Sequence, residues 1–276
     1  MNNNTRHYAS PPCYAHEFES YARNPSGNEV GNAADLMQRL SAVRTRIAAA
    51  CARCGREPGE VRLLPVSKTV SVERLRGAAA EAGLTAFGEN NAQELSAKVH
   101  ALTDLPLRWS LIGHLQTNKV RLAARHADEF QALDSLKLAK ALDRHLQVEG
   151  RRLDVFIQVN SSGEARKFGL EPEAVPAFVR SLRSYETLRV RGLMTLVAHS
   201  ADPQRVRNCF RVMRELRETL RRTMPTGSSI EELSMGMSAD FEMAVEEGAT
   251  VVRIGQAIFG RRPVPDNHYW PDAGPA

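Results

Sequence analysis

The feature that most constrains the fold is a regular alternation of short apolar runs with longer helical patterns. It starts near residue 61, continues to about residue 260 and repeats eight times. The runs that read as strands are VRLLPVSK, LTAFGEN, LRWSLIGH, EFQALD, LDVFIQVN, LRVRGLMTL, EELSMGMS and TVVRIG. Strands that alternate with helices form parallel sheets with right-handed crossovers. Eight such units predict an α/β fold, a (β/α)8 TIM barrel in a single domain.

The main alternative to a barrel is an open, doubly wound sheet. In its dinucleotide-binding form, such a sheet carries GxGxxG at the turn from the first strand to the first helix. Here the corresponding turn reads SKTVSV and contains no glycine. This absence favours the barrel.

The chain of 276 residues divides into three predicted segments. Residues 1–32 are polar and interrupted by prolines and glycines, which predicts a disordered or loosely attached extension. We expect the barrel over residues 33–263, preceded within that range by an extra amphipathic helix that ends near Gly55. A flexible, proline-rich tail is expected over residues 264–276. The apolar positions of the extra helix are Leu36, Leu40, Val43 and Ile47.

Charge and cysteine content argue against several classes of protein. The net charge is +5, and the arginines of the most basic stretch alternate with glutamates, which indicates a solvated helix face rather than a nucleic-acid site. No run approaches 18 apolar residues, so we expect no membrane span. The cysteines form neither a zinc pattern nor a disulfide framework, and a reducing cytoplasm fits them best. We interpret Cys51 and Cys54 as two buried small residues on one helix face.

Polar residues and glycines follow the predicted strands at their carboxyl ends. Active sites of barrel enzymes gather at that end. Each residue alone could be a solvated strand end or a structural side chain, but together they predict one site. Besides the residues discussed below, they include Ser67, Glu89, His114, Asn160 and Thr195.

The last two predicted strands indicate a phosphate site. In LSMGMS, Ser234, Gly236 and Ser238 alternate, so they would share one face of an extended segment. In VRIGQAIFG, Gly255 and Gln256 stand where a strand passes into a helix, and N–H groups there attract anions. Phosphate sites after the seventh and eighth strands recur in barrels.

A lysine opposite such a phosphate site suggests a particular ligand. Lys68 ends the first strand, and an amine facing a phosphate site suggests a phosphorylated aldehyde held as a Schiff base. Pyridoxal 5′-phosphate (PLP) is the obvious candidate. A barrel that binds another phosphate ester, with Lys68 only as an ion pair, is the competing interpretation.

Seven segments of the chain occur in an order that is typical of one family: LLPVSKT, FGENNAQEL, WSLIGHLQTNK, IQVNSSGEARKFGL, RGLMTL, LSMGMSADFEMAVEEG and VRIGQAIFGRR. In these segments the chain resembles the pyridoxal phosphate homeostasis family. The segments run from about residue 62 to residue 262. The resemblance implies the fold of the alanine racemase N-terminal domain, carrying PLP and lacking the second domain of the racemase.

The resemblance also implies roles for individual residues. Lys68 matches the lysine that forms the Schiff base with PLP, and Arg253 matches the arginine that faces the pyridine nitrogen. The chain departs from the family at Gln256, where many members carry Thr or Ser, so a hydroxyl contact to phosphate is lost. The matched cofactor-binding positions are Lys68, Asn90, Ser234, Gly236, Ser238, Arg253, Gly255 and Gln256.

The arginine at the pyridine nitrogen favours a carrier over an enzyme. A protonated guanidinium cannot accept a proton, so the ring nitrogen stays unprotonated and the ring is a weaker electron sink. A racemase also needs a second base, and Tyr269 lies in a tail that would position it poorly. We therefore predict a protein without catalytic residues that buffers and delivers PLP in vitamin B6 and amino-acid homeostasis. A small PLP-dependent amino-acid racemase is the alternative.

The expected partners are few. They are PLP and, transiently, PLP-dependent apo-enzymes. We expect no nucleic acid, no membrane and no metal, and a monomeric state.

Overall fold

The computed structural model describes most of the predicted barrel. The predicted extension over residues 1–32 and the tail over residues 264–276 lie outside the described residues, as does Tyr269. The described residues are 33–164, 167–197, 200, 202–223 and 230–260.

Eight strand–helix units follow one N-terminal helix, α1 (Ala33–Arg53). The strands are β1 (Arg62–Pro65), β2 (Ala86–Glu89), β3 (Arg108–Leu111), β4 (Glu129–Leu133), β5 (Leu153–Gln158), β6 (Leu188–Met194), β7 (Glu232–Ser234) and β8 (Val251–Ile254). The helices that follow them are α2 (Val72–Ala82), α3 (Ala92–Ala101), α4 (Val120–His126), α5 (Leu136–Glu149), α6 (Val175–Leu182), α7 (Pro203–Thr223), α8 (Phe241–Glu246) and α9 (Gln256–Phe259). Each predicted strand is confirmed.

The strands form one parallel sheet that closes on itself. Their order is β1-β8-β7-β6-β5-β4-β3-β2, so the first and last strands are neighbours. A single parallel bridge between Val66 and Gly88 joins the end of β1 to β2. The arrangement confirms the predicted (β/α)8 barrel, and its closure places all eight carboxyl ends around one opening.

The barrel interior contains polar side chains. All five residues of β4 are buried, and Glu129 and Gln131 alternate with Phe130 and Ala132. Gln131 bonds to Ser234 of β7, a strand that is not a neighbour of β4, so this bond crosses the interior. Phe130 and Ala132 therefore face the surrounding helices, while Glu129 and Gln131 face inward.

The N-terminal helix packs as its sequence pattern predicts. All four of its predicted apolar positions are buried, and α1 contacts α8, α9 and α2. On the surface of the helix, Arg46 forms a bidentate ion pair with Glu242 of α8, with N–O distances of 2.9 and 3.1 Å. The extra helix is thus part of the barrel wall.

The interpretation of both CxxC residues as buried is wrong for one of them. Cys51 is buried, but Cys54 is exposed. Helix α1 ends at Arg53, and Gly55 takes a left-handed φ of 67°, so the chain turns outward at Cys54. The predicted end of the helix near Gly55 is confirmed, whereas the common buried face is not.

Two surface expectations concern the helices. Among the described helices, none is long and apolar enough to cross a membrane. The basic face of α7 is partly neutralised, because Arg207 and Arg214 form ion pairs of 2.6–3.1 Å with Glu246 and Glu247.

Candidate functional site

The predicted Schiff-base lysine lies at the carboxyl end of the barrel. Lys68 is half-buried in the turn that follows β1. Strand β1 pairs with β8, and the Val66 N–H donates to the Ile254 carbonyl at 2.9 Å. A Cβ built on Gly255 would lie 3.1 Å from the Val66 carbonyl oxygen. The turn that carries Lys68 therefore lies directly beside the end of β8.

This adjacency corrects one expectation. The sequence predicts a lysine opposite the phosphate site that follows the seventh and eighth strands. Closure of the barrel makes β1 and β8 neighbours, so Lys68 and Gly255 lie side by side. An amine that lies beside a set of N–H donors suits a ligand that carries an aldehyde and a phosphate group on one small ring.

The predicted phosphate donors lie around the start of α9. The Ser238 hydroxyl oxygen accepts a hydrogen bond of 3.4 Å from the Ala257 N–H, which links the loop after β7 to this helix. Like the first N–H groups of any helix, those of Gly255 and Gln256 have no acceptor within the helix. The Gln256 side chain is exposed, and within the described part of the chain its amide makes no hydrogen bond.

The LSMGMS segment is less extended than its alternation suggests. Strand β7 ends at Ser234, and Gly236 has a φ of 94°. A Cβ on Gly236 would lie 2.6 Å from the Cβ of Ala244 and 2.9 Å from the Cα of Phe241. The expectation that Ser234, Gly236 and Ser238 share one extended face is therefore wrong, because Gly236 turns the chain and lets it pack closely against α8.

Ser234 lies inside the barrel and joins a chain of hydrogen bonds. Arg253 donates from Nη1 to the Ser234 hydroxyl at 2.7 Å, and this hydroxyl donates to Gln131 Oε1 at 2.6 Å. Gln131 donates from Nε2 to Glu129 Oε1 at 2.6 Å. Arg253 Nη2 also donates to the Thr195 carbonyl at 2.8 Å. These hydrogen bonds fix the guanidinium below the mouth and link it through Ser234 and Gln131 to the Glu129 carboxylate.

The buried environment of Arg253 affects its proton affinity only moderately. Burial lowers the pKa of Arg253 to about 10, and Asp240 opposes the shift. The guanidinium therefore keeps its proton at neutral pH and can donate hydrogen bonds but not accept them.

Gln131 belongs to this chain of hydrogen bonds and was not predicted. A sequence signal for it exists. Strands of a parallel barrel are buried on both faces and are usually apolar throughout, but β4 carries Glu129 and Gln131 at alternate positions.

Asn90 and Gly113 meet at the ends of neighbouring strands. Asn90 is half-buried after β2, and Gly113 follows β3. A Cβ on Gly113 would lie 2.1 Å from the Asn90 carbonyl oxygen and 3.0 Å from its side-chain Cγ. Glycine at position 113 thus allows a close backbone approach that holds Asn90 at the mouth.

Other polar residues at the strand ends have structural partners. Asn160 donates from Nδ2 to the Glu164 carbonyl at 3.0 Å and to the Glu171 carboxylate at 3.1 Å, which fixes the loop after β5. His114 stacks on Phe168, with ring centroids 4.1 Å apart. These residues shape the rim. Within the described ranges, no group of three or more His, Cys, Asp or Glu side chains could hold a metal ion.

A buried carboxylate lies directly beneath the turn that carries Lys68. Glu89 is fully buried; its Oε1 accepts from the Ser67 hydroxyl at 2.6 Å and from Lys98 Nζ at 2.7 Å. Its Oε2 is buried and has no hydrogen-bond partner among the described residues. Burial raises the pKa of Glu89 from 4.5 to about 7, and the Lys98 ammonium opposes the shift.

This raised pKa predicts a pH dependence of stability. The folded protein binds the Glu89 proton more tightly than the unfolded chain, so the free energy of unfolding should fall as the pH rises from about 4.5 to about 7. Glu89→Gln should flatten this fall. Urea unfolding of the PLP-free protein at a series of pH values measures it, with Glu81→Gln at an exposed position as the control. An unchanged pH slope in Glu89→Gln would contradict the prediction.

Comparisons with known proteins agree with this geometry. A family model described as "Alanine racemase, N-terminal domain" matches residues 38–263. The "Pyridoxal phosphate homeostasis protein" of Aquifex aeolicus is 42% identical over 225 residues, which cover 82% of this chain and 97% of that one. Its namesake in Pseudomonas aeruginosa is 42% identical over 227 residues, 82% of this chain and 96% of that one.

Solved structures give the same match in three dimensions. PipY of Synechococcus elongatus with PLP bound has a TM-score of 0.72 and 35% identity, covering 82% of this chain and 100% of that one. An alanine racemase from Clostridium difficile has a TM-score of 0.65 at 14% identity, covering 84% of this chain and 58% of that one, and shows the fold alone.

Proposed function

Because the chain belongs to the alanine racemase N-terminal domain family, and within it to the pyridoxal phosphate homeostasis proteins, we propose that it binds, buffers and delivers PLP. In this role it takes part in vitamin B6 and amino-acid homeostasis and meets PLP-dependent apo-enzymes transiently. The observation that carries the proposal is the position of Lys68, in the turn directly beside the N–H donors at the start of α9. PipY, of similar sequence, has PLP bound.

The residues present fit this ligand. Lys68 offers a primary amine, while the N–H groups of Gly255 and Gln256 and the Ser238 hydroxyl offer donors for a phosphate group. When bound, PLP supplies a ring that accepts electrons and an aldehyde whose oxygen leaves as water when a primary amine forms a C=N bond to the carbon. Below them, Arg253 offers a fixed cation.

The state of Arg253 supports a carrier rather than an enzyme. Its guanidinium keeps its proton at neutral pH, because its pKa is about 10. It donates hydrogen bonds to Ser234 and Thr195, which hold it in place. Beside such a donor a pyridine nitrogen stays unprotonated, and this weakens the electron sink that carbanion chemistry requires.

Binding and turnover can be tested separately. We expect the purified full-length protein to bind PLP in equilibrium dialysis and to change its absorbance spectrum, and to transfer PLP to an apo-enzyme of the PLP-dependent class. With L-alanine or L-serine it should form no D-isomer above a control with PLP alone. Absence of PLP binding would refute the proposal, and sustained racemisation that Lys68→Ala abolishes would favour the racemase.

Gln256 is expected to contribute to phosphate binding through its side-chain amide. The amide is exposed at the first position of α9 and makes no other hydrogen bond within the described residues. A hydrogen bond to a charged group contributes about 1.5–3 kcal/mol, so Gln256→Ala should weaken PLP binding by roughly tenfold or more. Titration of the absorbance change measures the affinity, with Gln93→Ala on the exposed face of α3 as the control. Equal affinity of Gln256→Ala and wild type would show that the backbone donors act alone.

A further inference from the structure

The backbone on both sides of Lys68 is held by side chains of a single helix. On the preceding side, the Ser67 carbonyl oxygen accepts a hydrogen bond of 2.7 Å from Lys98 Nζ. On the following side, the Thr69 N–H donates to Glu94 Oε1 at 2.7 Å. Lys98 and Glu94 both belong to α3. Two fixed peptide groups leave the intervening residue little freedom.

The turn itself has a strained conformation. Thr69 has a φ of 66° and is the one non-glycine residue with positive φ in the part of the chain that the structure describes. This conformation is unfavourable for a β-branched residue and persists only where surrounding contacts impose it. The Val70 N–H donates to the Ser67 carbonyl at 2.9 Å, which closes the turn, and Glu94 holds the Thr69 N–H within it.

Lys98 is the centre of this cluster. Its side chain is almost fully buried, and its ammonium donates to three acceptors, each at 2.7 Å: the Ser67 carbonyl, Glu89 Oε1 and Glu94 Oε1. An ammonium has three donors, so all of them are used. Glu89 in turn accepts from the Ser67 hydroxyl. The cluster therefore holds the residue before Lys68 through both its backbone and its side chain.

A contribution to stability does not by itself explain why a protein contains a buried ion pair. The desolvation of two charges can exceed their attraction, and an apolar replacement is often as stable. A polar cluster of this kind does specify one arrangement of the backbone groups that it contacts. Here those groups are the two peptides that flank Lys68.

We infer that Lys98, together with Glu89 and Glu94, is a positioning residue that fixes the turn around Lys68 and so directs the Lys68 amine toward the phosphate donors at the mouth of the barrel. This inference rests on the proposed function, because it concerns the approach of that amine to an aldehyde. Bond formation is sensitive to the placement of reacting atoms, and a displacement of about 1 Å can slow a reaction by two orders of magnitude. The binding of ligand groups that do not react should be much less sensitive.

Two ligands that differ only at the reacting carbon distinguish an effect on the position of the Lys68 amine from an effect on the shape of the whole binding site. PLP carries an aldehyde, whereas pyridoxamine 5′-phosphate carries an amine there and forms no bond to a lysine. In Lys98→Met we expect covalent attachment of PLP, trapped by borohydride at successive times, to slow on the order of tenfold. Affinity for pyridoxamine 5′-phosphate should change by less than about twofold. Lys140→Met, at an exposed position on α5, is the matched control.

A second pair of variants avoids an unpaired buried charge at Glu89. Glu94→Gln keeps an oxygen that can accept from the Thr69 N–H, whereas Glu94→Ala removes it. Both variants leave the ion pair of Lys98 with Glu89 in place. We expect Glu94→Gln to attach PLP at nearly the wild-type rate and Glu94→Ala to be slowed, with little change in pyridoxamine 5′-phosphate affinity for either. Rescue by the conservative variant is a result that a general loss of packing would not produce.

The outcomes separate this inference from the proposed function. If the wild-type protein binds no PLP in equilibrium dialysis, the proposed function fails. If it binds PLP but takes up no borohydride-stable label, the positioning role is overturned and PLP binding stands. If the wild type is labelled and both Lys98→Met and Glu94→Ala are labelled at the same rate, the positioning role is overturned and PLP binding stands. Equal losses in the rate of PLP attachment and in pyridoxamine 5′-phosphate affinity would also overturn the positioning role, because the cluster would then shape the whole binding site.

Discussion

Lys68→Ala is expected to abolish borohydride-stable attachment of PLP to the protein. Lys68 is the lysine in the turn after β1, beside the N–H donors at the start of α9. Lys98, which contacts this turn, uses all three of its donors within a buried cluster. Reduction with borohydride followed by peptide mass spectrometry measures the attachment. Some PLP should still bind without a covalent bond, because the phosphate donors remain.

Lys68→Arg separates the amine from its charge. A guanidinium keeps the positive charge but does not form the C=N bond, so we expect this variant to lose the label as completely as Lys68→Ala. Lys119→Ala and Lys167→Ala serve as controls at other lysines that follow strands and should keep the label. Recovery of the label on Lys119 or Lys167 would assign the covalent site elsewhere.

The second large effect concerns stability. Gly113→Ala should lower the free energy of unfolding by about 3 kcal/mol or more, or prevent accumulation of folded protein. The added Cβ would lie 2.1 Å from the carbonyl oxygen and 2.9 Å from the carbonyl carbon of Asn90. These atoms belong to the backbone, so no side-chain rotation can relieve the clash and the end of β2 or β3 has to shift. Urea unfolding of the PLP-free protein measures the loss.

Gly59→Ala is the matched control for this substitution. A Cβ at Gly59 meets no atom within 4 Å, and its φ is not in the left-handed region. We expect its free energy of unfolding to stay within about 0.5 kcal/mol of wild type. Because the shift in Gly113→Ala moves Asn90, any folded fraction should also bind PLP more weakly. Equal stability of the two variants would contradict the steric role of the close approach of Gly113 to Asn90.

The architecture of the barrel follows from local sequence patterns. Short apolar runs that alternate with helical periodicity reflect burial, and burial repeats with the geometry of each element. For this reason all eight strands and the apolar face of α1 could be predicted. The position of Lys68 at a strand end followed in the same way, since a parallel barrel brings the carboxyl ends of its strands to one opening.

The contacts that define the candidate site could not be predicted locally. Gln131 and Ser234 are 103 positions apart, and Lys98 lies 31 positions from the Ser67 carbonyl that it contacts. Lys98 is spaced for an ordinary surface ion pair with Glu94, and nothing in its neighbours shows that its ammonium is buried.

The elements and the gathering of polar residues at one end of the barrel could therefore be predicted from local patterns, because both follow from periodic burial. Two relations appear only in the folded protein: Lys68 lies beside Gly255 rather than opposite it, and Ser234 supports Arg253 from within the barrel. Ring closure explains both. The pairing of the first strand with the last, and the meeting of side chains inside the ring, depend on the whole closed sheet and on no single segment of it.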